Sequence, residues 1–137
     1  MTAATPAIVQ RLQAFFEQRA EALICVYLFG SAARGTADRR SDVDIAVLYP
    51  EQPPDCLEWL GLDLALALER LLGRPVDLVV LNRAPVDLIH RVLRDGVLIC
   101  ERDRSARVRF EVQVRNAYFD LLPYLRQYRK AVPEPPS

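Results

Sequence analysis

Four short apolar runs, each closed by a turn former or a change of periodicity, constrain this chain more than any other feature. They are LICVYLF (Leu23 to Phe29), VDIAVLY (Val43 to Tyr49), PVDLVVL (Pro75 to Leu81) and VLICE (Val97 to Glu101). Their β-branched and aromatic content and their length read as strands. Between them the apolar spacing turns helical. Thr5-Pro6 reads as an N-cap followed by proline at the first helical position, and Ile8, Val9, Leu12, Phe15 and Phe16 carry a first helix to about Arg19. A leucine-rich helix runs from about Asp55 to Leu72 and stops at Gly73. A third spans Asn82 to Arg94, with Pro85 in its first turn and Gly96 just past its end. Strands alternating with helices predict a single α/β layer domain.

The remainder, Arg104 to Ala131, is one long helical pattern. Phe110, Val114, Ala117, Leu121, Tyr124 and Tyr128 form an apolar stripe, and Pro123 inside it is expected to kink or interrupt the helix. Phe110 to Ala117 are expected to pack on the domain's own sheet. Tyr124 and Tyr128, beyond the proline, suit either the domain's own packing or contact with a partner or second copy. Residues 1–131 form the expected domain, and VPEPPS, 132–137, a disordered tail.

With 137 residues there is room for one core, not two. Formal net charge is zero, so the chain as a whole has no electrostatic pull toward nucleic acid or a membrane. The N-terminus lacks a basic segment followed by an apolar one, and no apolar run is long enough to span a bilayer. A cytoplasmic location is the expectation. Cys25, Cys56 and Cys100 have no CxxC spacing and suit a reducing compartment as small hydrophobes.

Against this background, two carboxylates at the head of a strand stand out. Asp42 and Asp44 are two apart, so their side chains project to one face. Like charges so placed repel unless a cation compensates. Asp77 is a third, set inside PVDLVVL among apolar residues, where burial without a partner is costly. If the two strands are neighbours, the three acids converge on one oxygen-ligand site suited to Mg²⁺. Gly30-Ser31 at the end of the first strand would supply a close backbone approach and a hydroxyl for an anion. Metal on one side and a phosphate cradle on the other is a layout for phosphoryl or nucleotidyl transfer.

Other chemistries fail on detail. Ala46 and Val47 stand where a calcium loop wants a ligand and glycine. There is no Gly-Lys-Ser/Thr of a Walker loop, and GSAARG is not the dinucleotide-binding glycine pattern. His90, the one histidine, sits mid-helix and away from Ser31 in the chain, which leaves no serine–histidine pair and no zinc ligand set.

The stretch GSAARGTADRRSDVD, Gly-Ser, ten residues, then Asp-x-Asp, resembles the signature of the DNA polymerase β nucleotidyltransferase superfamily. Its fuller form is similar to the smallest branch, the minimal nucleotidyltransferases, as are Asp77 and the stretch LIHRVLRDGVLICERD. The resemblance implies a polymerase β-type core: a mixed four-stranded sheet flanked by helices, with a long C-terminal helix. It implies that Asp42 and Asp44 ligate two Mg²⁺ ions, that Asp77 completes the site and helps deprotonate the acceptor, and that Gly30 and Ser31 hold the β and γ phosphates of ATP. Arg34 would neutralise phosphate charge or pair with a nearby acid. Arg39, Arg40 and Ser41 are read as loop and strand-entry residues, with Ser41 tightening the turn before Asp42. Members of this branch are antitoxins that transfer AMP to tyrosines of a HEPN-domain ribonuclease toxin. That makes a cognate HEPN protein the expected partner and the C-terminal helix the expected contact, with it or with a second copy. A small-molecule hydroxyl acceptor, as in aminoglycoside-modifying enzymes, and a non-catalytic antitoxin acting by steric binding are the alternatives.

Overall fold

In a computed structural model the described residues are 6–19, 23–34, 42–50 and 57–131. The elements run α1 (Pro6–Glu17), β1 (Cys25–Phe29), α2 (Gly30–Arg34), β2 (Val43–Leu48), α3 (Leu57–Leu72), β3 (Val76–Val80), α4 (Val86–Asp95), β4 (Val97–Glu101) and α5 (Arg104–Ala131). The strands form one four-stranded sheet in the order β3-β2-β1-β4. β1 is antiparallel to both β2 and β4, whereas β2 and β3 are parallel, so the sheet is mixed as expected.

Apolar side chains cover both faces of this sheet, which is why its strands read as nearly continuous hydrophobic runs. On one face, Leu12 and Phe16 of α1 and Leu64 and Leu68 of α3 pack on Val26, Leu28, Ile45 and Val47. On the other, Ile89 and Val92 of α4 and Val114 of α5 pack on Cys25, Tyr27, Ala46, Leu48 and Leu81. Both cysteines among the described residues are free: Cys25 is buried and Cys100 half-buried.

A few polar side chains fasten the layers. Asn82 brackets Tyr49, donating to its carbonyl and accepting from its amide, each at 2.9 Å. This is why α4 starts at Val86 and not at Asn82: residues 82–85 form a turn, with Pro85 extended at the N-cap. Arg102 donates to the carbonyls of Phe16 and Arg19, closing the end of α1 against the end of β4. Tyr27 donates to Glu111 at 2.6 Å, and Arg107 bridges Glu111 and Glu101, which ties α5 across the sheet. Burial, and then the bond to Glu111, push the Tyr27 phenol well above its ordinary range. Bonds to the two carboxylates hold Arg107 firmly protonated.

α5 is assigned as helix through Pro123. The expected interruption is thus confined to the one backbone bond that proline cannot make. Its apolar stripe divides. Val114 is buried and Phe110 half-buried, whereas Ala117, Tyr124 and Tyr128 are exposed. Among the described residues no helix is long and apolar enough to cross a membrane. The N-cap assigned to Thr5, the helix start at Asp55, Cys56, and the tail 132–137 lie outside the described residues.

Candidate active site

The parallel pairing of β2 with β3 sets the register Asp44↔Asp77. Paired residues of adjacent strands point to the same face, so Asp44 and Asp77 share one face of the sheet. Asp42 is exposed one residue ahead of β2, and the amide of Val43 donates to the carbonyl of Pro75 at 2.9 Å. That bond holds the entry of β2 beside the entry of β3. All three acids therefore lie at one end of the sheet, with Asp77 exposed on the edge strand and Asp44 half-buried next to it.

β1 reaches the same end from the opposite direction. Phe29 pairs with Asp44, and the next residue, Gly30, turns the chain into α2 with φ of +73°. Left-handed backbone of this kind favours glycine. Packing adds a stricter reason: a Cβ on Gly30 would lie 2.1 Å from Oδ2 of Asp44. Gly30 thus leaves the space in which the Asp44 carboxylate sits. Ser31 is half-buried in the first turn of α2, and Arg34 ends that helix. The expectations for the side chain of Arg34, and for Arg39, Arg40 and Ser41, lie outside what is described.

An all-carboxylate set beside a side-chain-free turn has the donor chemistry of a hard divalent cation facing phosphate oxygens. Strand register brings Asp44 and Asp77 to one face, and all three acids lie at one end of the sheet. Among the described residues, however, no three His, Cys, Asp or Glu side chains are gathered closely enough to grip an ion. Mutual repulsion opposes such convergence unless a cation offsets it.

His90 is not part of this constellation. It stacks flat on Tyr118 of α5, with ring centroids 3.6 Å apart and 2° between the planes. Two supporting features depend on contacts that exist only after folding. One is the Tyr27–Glu111 bond, whose partners are 84 positions apart. The other is Gly96, where an added Cβ would meet the carbonyl oxygen of Val92 at 2.4 Å and that of Leu28 at 3.3 Å. Gly96 therefore lets α4 close tightly over β1 just before Gly30.

Residues 10–105 match the family described as Polymerase beta, Nucleotidyltransferase. The chain belongs to that nucleotidyltransferase family. Its nearer relatives narrow the resemblance to the minimal branch. Over 71 residues it is 41% identical to the protein adenylyltransferase MntA of Shewanella oneidensis, a match spanning 52% of this chain and 49% of that protein. The chain spans about half the length of that curated relative. Among solved structures, it is similar to a chain of a toxin–antitoxin crystal structure with AMP-PNP, at 29% identity and a TM-score of 0.69, covering 90% of this chain and 93% of that one. It is also similar to a chain of the tri-AMPylated Shewanella oneidensis HEPN toxin in complex with its MNT antitoxin. That likeness has 26% identity and a TM-score of 0.64, covering 90% of this nucleotidyltransferase and 93% of the matched chain.

Proposed function

We propose that this nucleotidyltransferase is a cytoplasmic protein adenylyltransferase that moves AMP from ATP to tyrosine hydroxyls of a cognate HEPN-domain ribonuclease toxin, and so acts as its antitoxin. The observation that carries the reading is the Asp44–Asp77 pair beside the glycine turn at Gly30. The MntA relative supports a protein acceptor, the AMP-PNP structure supports ATP as donor, and the AMPylated HEPN complex supports the partner.

In this reading Asp42, Asp44 and Asp77 hold two Mg²⁺ ions, whose chemistry when bound is to neutralise the triphosphate and the departing pyrophosphate. The rest falls to the chain itself. Gly30 brings backbone close to the β and γ phosphates, Ser31 adds its hydroxyl, and Arg34 adds a guanidinium. Asp44, fixed beneath Gly30, lies on the nucleotide side. Asp77, on the exposed edge strand, lies on the acceptor side and takes the phenolic proton. The tyrosine oxygen bonds to the α-phosphorus as the bond to pyrophosphate breaks. AMP adds bulk and negative charge near the ribonuclease site, which opposes entry of RNA.

Intact-mass measurement of the HEPN protein after incubation with this chain, ATP and Mg²⁺ tests the reading. Gain of whole AMP units by the HEPN protein is the expected result. An unmodified HEPN protein, with Mg²⁺ and ATP in excess, contradicts it.

A further inference from the structure

The chain has five tyrosines, and their surroundings separate them. Tyr27 is buried with its hydroxyl bonded to Glu111, Tyr49 is half-buried, and Tyr118 is stacked on His90. Tyr124 and Tyr128 are different: they are 69% and 67% exposed. Four positions apart on α5, they share one face of the helix. Pro123 precedes them directly. Proline has no N–H, so no backbone bond from this position reaches Phe119, and the helix opens or bends here at least cost. A hydroxyl that must enter another molecule's site gains from such a joint beside it.

Charge points the same way. From Leu121 to Ala131 the sequence carries Arg126, Arg129 and Lys130 and no acid. The candidate site offers the opposite sign: Asp42 and Asp77 exposed and Asp44 half-buried. A cationic, tyrosine-bearing arm and an anionic site attract one another between molecules. In the chain itself, α5 starts at the end of the sheet away from that site. Phe110 and Gln113 line a cavity with Tyr49, Pro50 and Asn82, at the end of the sheet opposite Gly30 and Asp42.

We propose that Tyr124 and Tyr128 are themselves AMP acceptors, modified by the nucleotide site of a second copy of this chain. The inference rests on the adenylyltransferase reading above. In each event the tyrosine oxygen bonds to the α-phosphorus of ATP, and the bond from that phosphorus to pyrophosphate breaks. The phenolic proton passes to Asp77 of the second copy and then to solvent. The product is a phosphodiester with one negative charge, on a segment whose sequence is net positive.

The test uses the full chain with ATP and Mg²⁺, read by intact mass and peptide mapping. Wild-type protein gains AMP at Tyr124 or Tyr128, and Tyr124→Phe/Tyr128→Phe does not. A mixture then separates the copies: an Asp42→Asn/Asp44→Asn chain that keeps its tyrosines, incubated with the active double-Phe chain, becomes labelled. AMP mapped only to other residues overturns the proposal. So does wild-type chain that stays unmodified in a sample where it labels the HEPN protein. If neither chain nor HEPN protein is labelled, the adenylyltransferase reading falls and this inference falls with it.

Discussion

A single hydrogen at Gly30 decides whether the Asp44 carboxylate has a place to sit. A methyl there would meet Oδ2 at 2.1 Å, on backbone whose φ of +73° already disfavours any other residue. Gly30→Ala should cost about 1–3 kcal/mol of stability and depress transfer further, because Asp44 must move; urea unfolding and a transfer assay on the same preparation check both. Asp44→Asn should abolish transfer while the chain still folds, which a transfer assay and circular dichroism on the same preparation check. At Cys25, burial pushes the thiol up to about 11 from an ordinary 9.0. The folded chain therefore keeps a proton there that the unfolded chain gives up, so this contribution is full below pH 9.0 and is lost as pH rises toward about 11. Urea midpoints should fall between those pH values, and Cys25→Ala should flatten part of the fall. A thiol reagent at neutral pH should reach Cys25 only after unfolding.

At the level of elements, α5 is fastened by the Tyr27–Glu111–Arg107 network and by Val114, and both anchors lie in its first half. Tyr27→Phe leaves Glu111 its bond to Arg107, so the loss should be near a single hydrogen bond, about 1 kcal/mol, read by chemical denaturation. Pro123→Ala restores a backbone donor mid-helix and should favour local helix by about 3 kcal/mol, seen as added far-UV helical signal. What was legible in the sequence follows from these same forces. The strands were legible because both faces of the sheet are covered and their runs are apolar throughout. Asp42, Asp44 and Asp77 were legible because a carboxylate in such a run needs a reason. The five-residue α2 is too short for periodicity, and α4 begins late because Asn82 is spent on Tyr49. The Tyr27–Glu111 bond joins residues whose proximity exists only after folding.

For the whole molecule, the sheet order makes the site. β3 on the edge leaves Asp77 exposed, β2 inside it holds Asp44, and β1 delivers Gly30 from the opposite direction. The candidate site lies at one end of the sheet, and the long helix carries exposed Phe119, Tyr124 and Tyr128 beyond its core contacts. Such a layout suits the proposed reaction on another protein, whose tyrosine can reach an exposed edge strand. Whether the chemistry or mere contact silences that partner is the central question. The measurement that answers it is RNA cleavage by the HEPN protein after incubation with ATP, Mg²⁺ and either wild-type chain or Asp42→Asn/Asp44→Asn chain. The account predicts that wild type silences cleavage and that the double variant, folded and still binding, does not. Equal silencing by both would show that the carboxylate site is not what neutralises the toxin.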